Sequence, residues 1–310
     1  MAIIERHPDI EDYFVELSLD DIARRGGLAD IFEEGRVIIL KDYRLPVAPA
    51  AIAALSKSLD AIADPNTRRR VKKLTTPLFF EAKPRRTGDG HPIFDDEAQQ
   101  AIYDVMCRGD RQLFDDAATA LRTAHDELLR IFGICFPAYE PFRLIPSARL
   151  TRTLFENLHW DNHSIDDDFH QARIFANLDT RARIWNVGQP YPEWVRQNYR
   201  KHKLERFAGK DPNLMLDFIA GKVLGGTQKT WMDKEPRHKV AFEPGEVWLC
   251  ESRLISHQIV YGESALVYMW FVRAASMANP ENRFNRRVEA IHEEMSKAEA
   301  DSKSMEARVS

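Results

Sequence analysis

Residues Pro244–Val272 read PGEVWLCESRLISHQIVYGESALVYMWFV, and this stretch decides the fold class. Pro244-Gly245 is turn chemistry, and Gly262 marks a second turn. Around them lie runs dense in β-branched and aromatic residues: Glu246–Leu249, Leu254–Val260 and Ala265–Val272. Short runs of that kind, bounded by turn residues, read as strands. The same texture recurs upstream at Arg149–Leu158, Ala172–Leu178, Ala182–Val187 and Lys239–Phe242. Seven or eight short antiparallel strands suit a sandwich or a jelly roll.

Ahead of Phe142 the texture is helical. Ser18 can cap a helix through Asp21, Ile22, Leu28 and Phe32, weakened at Gly26-Gly27 and closed by Gly35. Arg36–Leu40 (RVIIL) is a strand. A helix over Ala48–Ile62 stops at the turn Asp64-Pro65-Asn66. Two more follow at Asp95–Cys107 and Asp110–Phe132. The second carries Leu113, Ala117, Leu121, Ala124, Leu128 and Phe132 as one apolar stripe, with Gly133 as its stop. Within the strand half, Pro192–Phe207 and Asn213–Leu224 read as helical pieces. The chain after Pro280 begins helical and is expected to fray through its final DSKSMEARVS. Helices first and strands after give α+β.

Composition narrows the function classes. The chain has 310 residues, 44% apolar and 30% charged, which excludes wholesale disorder. Lys+Arg is 44 against 48 for Asp+Glu, a net charge of −4, so no overall field draws the protein to nucleic acid. The three cysteines (Cys107, Cys135, Cys250) form no CxxC pair, which argues against a disulfide framework and a thiolate zinc site. No run approaches the ~18 apolar residues of a membrane span. The acidic first dozen residues are not a secretory signal. A soluble protein of a reducing, cytoplasmic compartment is expected. No period of 20–50 residues repeats, so solenoids and propellers are excluded.

His-x-Asp/Glu occurs four times: His7/Asp9, His125/Glu127, His159/Asp161 and His292/Glu294. His7 falls in an N-terminal loop, and His125 and His292 in helices. Positions i and i+2 of a helix lie about 200° apart and cannot converge on one ion. In a strand they share a face at about 6–7 Å. Only His159/Asp161, in ENLHWDNH, follows a strand-like run. His257, 96 positions after Asp161 and on another strand, is the best third ligand. His163 and His170 are possible replacements. Two neutral imidazoles and one carboxylate on a face leave three positions open, the arrangement used for non-haem Fe(II) and O2 chemistry.

These features resemble the 2-oxoglutarate/Fe(II)-dependent oxygenases. The string LHWDNHSIDDDFHQARIFANLDTRARIWNVGQPY, residues 158–191, is similar to the corresponding stretch of the 3-deoxy-D-manno-octulosonic acid (Kdo) 3-hydroxylase family. His159/Asp161 is followed there by an Arg-bearing strand, Arg173–Asp179, and then by Arg183-Ile184-Trp185-Asn186-Val187-Gly188-Gln189-Pro190. Weaker agreement extends over residues 30–290, most fully over 137–280. The resemblance implies a double-stranded β-helix (jelly-roll, cupin-like) core at 136–280 with a helical insertion at 189–235. A mainly helical part, 1–135, would pack outside it and a C-terminal helix and tail, 281–310, would follow, all as one oxygenase domain.

The resemblance also implies Fe(II) on His159, Asp161 and His257, with 2-oxoglutarate and O2 as co-substrates and ascorbate as an optional reductant. The far carboxylate of 2-oxoglutarate needs a cation, and Arg143, Arg173 and Arg273 are the candidates. The implied reaction is hydroxylation of an unactivated C–H bond of a Kdo-type sugar acid, which would place the protein at the inner membrane surface. Two alternatives stay open: the same chemistry on a small soluble metabolite, such as an amino acid or a natural-product intermediate, or a non-catalytic cupin-like binding module. The basic clusters Arg68–Lys73 and Lys83–Arg86 around Leu78-Phe79-Phe80 read either as solvated loops or as anion contacts. Trp194, Tyr199 and Trp231 read either as packing or as sugar-stacking residues. Oligomeric state is not legible.

Overall fold

Two β-leaves enclose the core, and one long strand belongs to both. This computed structural model describes residues 2–47, 49–74, 85–88, 90–153, 158–161, 168–223 and 235–309. Its strands in chain order are β1 (Ile3–Glu5), β2 (Phe14–Leu17), β3 (Val37–Leu40), β4 (Lys73–Leu74), β5 (Arg85–Arg86), β6 (Pro92–Ile93), β7 (Pro141–Thr153), β8 (Phe169–Asn177), β9 (Arg183–Pro190), β10 (His238–Phe242), β11 (Val247–Leu249) and β12 (Ile255–Arg273). The first leaf runs β1-β10-β9-β12. The second runs β7-β12-β8-β11-β3-β2, with β4 on the free edge of β7. β12 pairs with β9 over Ile255–Tyr261 and then, past an irregularity at Gly262–Ser264, with β7 and β8 as far as Arg273. The β2–β3 pair is parallel and the other named pairs are antiparallel. β5 and β6 form a separate ribbon. The architecture is an α+β jelly roll.

Alternation on β8 sets the layers. Ala172, Ile174 and Ala176 face outward into a cluster with Leu266, Tyr268 and Trp270 of β12 and with the helices. Phe175, one step over, faces inward among Trp185, Trp248 and Phe242. Both faces are buried, so β8 has no solvent-facing side. The outward face is covered by the helix Arg111–Cys135, whose buried stripe runs from Phe114 through Leu121 and Leu128 to Cys135. Phe132 stacks on Trp270 at 4.3 Å. A third cluster joins the insertion helices Tyr191–Asn198 and Pro212–Phe218 to the C-terminal helix Phe284–Val309. Among the described residues no helix is long and apolar enough to cross a membrane.

The structure corrects several boundaries. The first predicted helix is two, Leu19–Arg25 and Ala29–Glu33, because Gly26 takes φ +81° and caps the first. Pro65 opens a helix, Pro65–Lys72, rather than a turn; Asp64 caps it by accepting the Thr67 N–H at 2.5 Å. Gly133 is an interior helical residue, and the helix continues to Cys135. β7 begins at Pro141, eight residues before the expected Arg149. Pro146 lies in β7 beyond Ala148 and Arg149, the two residues that pair with β4. The Pro192–Phe207 piece is α-helical only as far as Asn198; turns follow, and Lys203, φ +54°, leads into a 3-10 turn over Leu204–Phe207. The C-terminal helix continues to Val309 instead of fraying. β1 and β2, of three and four residues, were not anticipated. Leu78-Phe79-Phe80, Lys83-Pro84, residues 154–157, His163, Asp166-Asp167 and Trp231 lie outside the described residues.

Candidate metal centre

His159 and Asp161 share a face because Trp160 is held on the other. The Trp160 ring is buried in the third cluster, 5.4 Å from the ring of Tyr191 and 5.7 Å from that of Trp194. The segment is pinned from outside by backbone bonds. His159 N–H donates to the His257 carbonyl at 3.0 Å, His257 N–H returns to the His159 carbonyl at 2.9 Å, and Asp161 N–H donates to the Ser252 carbonyl at 3.0 Å. Gly188 permits this close crossing: a Cβ there would stand 2.6 Å from Ser256 Oγ and 3.0 Å from Leu158 Cδ2.

The three side chains converge. One potential ligand atom from each of His159, Asp161 and His257 lies within 4.8 Å of the others, and this is the one such group among the described residues. His257 Nε2 is 3.7 Å from Asp161 Oδ2, and His159 Nε2 is 4.0 Å from Asp161 Oδ1. His257 is buried, and its ring stacks on Trp185 at 4.9 Å and 19°. Its Nδ1 lies 3.2 Å from the Ile255 carbonyl. Only a protonated Nδ1 donates there, so Nε2 carries the lone pair that faces the other ligands. Burial pushes the His257 pKa down to about 4, with the neighbouring His159 adding to the effect, so the ring is neutral at pH 7. Burial alone would raise the Asp161 pKa. The Arg173 charge, then His257 and His159, outweigh burial and hold it well below the usual carboxylate range. A neutral imidazole and an ionised carboxylate are the protonation states a divalent cation needs. His159 is the more open of the two imidazoles and marks the accessible side.

The three arginines part company. Arg173 is buried; its Nη1 donates to Asp161 Oδ2 and its Nη2 contacts Met269 Sδ at 3.2 Å. Arg143 is exposed, its guanidinium 5.6 Å from the Phe271 ring centroid. Arg273, with its side chain 60% exposed, makes a 3.9 Å ion pair with Glu140. Of the three, Arg173 alone contacts a member of the triad.

Four of the other described histidines have other duties. His170 cannot replace a ligand: it occupies the outward side of β8, edge-on to Phe32 and Tyr139. His7 Nδ1 accepts the Asp9 N–H at 3.2 Å, His125 Nδ1 meets the Tyr268 hydroxyl at 2.9 Å, and His292 Nδ1 meets the Tyr199 hydroxyl at 2.5 Å. Trp194 and Tyr199 are buried in the third cluster as packing residues. Arg70 and Arg85 of the basic clusters pair with Asp96 and Asp95 at 2.5 and 2.7 Å. Sequence reasoning overlooked Trp160 as a fulcrum, Trp185 as the platform for His257, and the Ser252 carbonyl. The Trp residues were in view, inside the His-x-Asp and Arg-Ile-Trp motifs, but their partners lie far along the chain.

No family model matches the chain, and no curated protein sequence matches it. Solved structures do match in fold. The Kdo hydroxylase KdoO, a non-heme Fe(II) alphaketoglutarate dependent dioxygenase, in complex with alphaketoglutarate and Fe(III), superposes with a TM-score of 0.58 at 13% identity, covering 89% of this chain and 95% of that one. Its cobalt(II) complex gives 0.58 at 13%, covering 90% and 95%. Its complex with succinate and Fe(III) gives 0.57 at 14%, with the same coverage. At this identity it is a likeness of fold.

Proposed function

We propose that this chain is an Fe(II)- and 2-oxoglutarate-dependent oxygenase that hydroxylates a C–H bond of a small-molecule substrate. The observation that carries the reading is the convergence of His159, Asp161 and His257 within 4.8 Å. Two nitrogens and one carboxylate oxygen on a common side are a donor set that suits a six-coordinate Fe(II) with three positions left for other ligands. The residues fit the ion in protonation state as well: His257 presents a lone pair at Nε2 and Asp161 is ionised. Bound there, Fe(II) with 2-oxoglutarate and O2 supplies a two-electron oxidation in which 2-oxoglutarate loses CO2 to become succinate and a substrate C–H becomes C–OH.

The chain's own residues set the conditions. Trp185 and the Ile255 carbonyl fix the plane and tautomer of His257. Arg173 orients Asp161 and keeps it charged. The wall formed by Trp185, Trp248, Phe175 and Phe242 keeps water from the inner side of the site. A Kdo-type sugar acid is the first substrate to try, on the sequence resemblance together with the KdoO-like fold; amino acids and other small metabolites come second.

The test is anaerobic titration of the apoprotein with Fe(II) and then 2-oxoglutarate, following the weak visible charge-transfer band of the chelate. The band is expected in the wild type and lost in His159→Ala and Asp161→Ala. A wild type that binds Fe(II) without giving the band refutes the oxygenase reading and leaves a zinc site or a non-catalytic module.

A further inference from the structure

The turn at residues 251–254 joins β11 to β12 and meets the triad at two points. The Glu251 carbonyl accepts the N–H groups of Leu254 at 2.9 Å and Ile255 at 3.0 Å, which closes the turn and starts the strand that carries His257. The next carbonyl, that of Ser252, accepts the Asp161 N–H at 3.0 Å. Arg253 follows, and it is buried, which is uncommon for an arginine. Its backbone N–H donates to Glu251 Oε1 at 2.9 Å. Its Nη2 donates to Asn213 Oδ1 at 2.9 Å, and its Cζ lies 4.0 Å from the centre of the Phe284 ring. Asn213 belongs to the insertion helix Pro212–Phe218, and Phe284 opens the C-terminal helix. Asn213 Nδ2 donates to Asp211 Oδ1 at 2.7 Å, which fixes the amide with its oxygen toward the guanidinium. One side chain thus ties the turn behind Asp161 to two segments distant in sequence.

Stability does not account for an arginine at this place. A buried guanidinium is desolvated, and the Arg253 Nε has no hydrogen-bond partner among the described residues. A methionine of similar length would fill the space without that cost. What methionine lacks is direction: the planar guanidinium fork fixes the geometry between the groups it joins. The insertion already holds residues 159–161 by a side chain, since Trp194 of the helix Tyr191–Asn198 packs on Trp160 at 5.7 Å. Through Arg253 it holds the same segment a second time, at the Asp161 backbone. The two holds together set where Asp161 stands relative to His257, whose strand leaves the same turn. We propose that Arg253 is a positioning residue of the metal centre, anchored on Asn213 and Phe284 and acting on Asp161 through the Ser252 carbonyl. This assignment rests on the oxygenase reading, in which His159, Asp161 and His257 hold the metal. It makes the insertion part of the site: a displacement of the helix Pro212–Phe218 reaches Asp161 without touching any ligand side chain.

The experiment titrates the full-length apoprotein with Co(II), whose visible absorption bands report ligand geometry, and follows urea unfolding alongside. Arg253→Met and Asn213→Ala should each weaken Co(II) binding by about tenfold and shift the bands, as loss of a group that orients a metal ligand does. The double variant should bind no more weakly than Arg253→Met alone, because both changes break one contact. Ile291→Ala is the control: it lies about two turns beyond Phe284 on the same helix and is buried in the same apolar cluster. It should unfold at lower urea yet keep wild-type Co(II) affinity and bands. If Arg253→Met does not fold, Asn213→Ala decides alone, since it leaves the turn residues unchanged. Wild-type affinity and bands in Asn213→Ala overturn the positioning role and leave the oxygenase reading standing. Additive losses in the double variant do the same, as does an equal loss of Co(II) binding in Ile291→Ala. A wild type that binds no Co(II) overturns both.

Discussion

Replacing Gly188 by alanine adds one methyl at the point where the two histidine-bearing segments cross. The added Cβ would stand 2.6 Å from Ser256 Oγ, and reaching an ordinary 3.4 Å contact requires Ser256 to retreat by about 0.8 Å. Leu158 must give by about half as much from its 3.0 Å. Neither has room: Ser256 is fully buried and donates to the Gln189 carbonyl at 3.1 Å, and Leu158 is buried in the third cluster. Overpacking of this kind costs about 1–3 kcal/mol. A domain of ordinary stability, about 5–15 kcal/mol, survives that. Ser256 and Leu158 are the immediate neighbours of His257 and His159, so the displacement is delivered between the two imidazoles. We expect Gly188→Ala to fold, to lose about 1–3 kcal/mol in urea denaturation, and to bind Fe(II) at least about tenfold more weakly. The matched control is Gly133→Ala on the long helix, where the new Cβ meets nothing within 4 Å. That change should stabilise by about 0.5–1 kcal/mol and leave Fe(II) affinity unchanged. If Gly188→Ala binds Fe(II) as tightly as the wild type, the crossing does not set the histidine geometry and the argument fails.

Further expectations follow from the same geometry. Trp160→Ala removes a buried indole and should cost about 3–5 kcal/mol in chemical denaturation, whereas Trp160→Phe should cost less and retain metal binding. Burial pushes the His170 pKa from 6.5 down to about 3. The unfolded chain therefore takes up that proton before the folded one, and stability should fall between pH 6.5 and 3 by a few kcal/mol on the order-of-magnitude scale of such shifts; His170→Phe should flatten the slope of unfolding free energy against pH in that window. Arg273→Ala breaks only an exposed ion pair, so its thermal midpoint and its 2-oxoglutarate titration should match the wild type, and a lost titration would restore Arg273 as the carboxylate anchor.

The sequence carries the site further than it carries the fold's edges. The convergence of His159 and Asp161 is legible because strand alternation is a local rule: two residues apart on an extended chain share a side, and a helix forbids it. The core strands are legible because β8, β9 and β12 are long enough to display β-branched and aromatic enrichment. β1 and β2 are too short to show any period, and their pairing with β10 and β3 is a tertiary choice. Pro141 and Pro146 masked the start of β7 because a proline is tolerated only at an edge, and edges are not visible in sequence. Which of Arg143, Arg173 and Arg273 touches the triad depends on contacts with Asp161, Phe271 and Glu140, none of them local in the chain.

That one strand seams both leaves has a consequence for synthesis. β8 and β9 are complete by Pro190, but the strand that lies between them begins at Ile255. At about 5–20 residues per second a ribosome leaves the two strands with open edges for some 3–13 seconds. During that interval β8 exposes apolar side chains on both faces and β9 offers unpaired backbone, so the nascent chain is at its most adhesive just before it can close. His257 arrives on the closing strand itself. The candidate site is thus complete only when the chain is, and the yield of folded protein should depend on chaperone supply and on translation rate through residues 190–255.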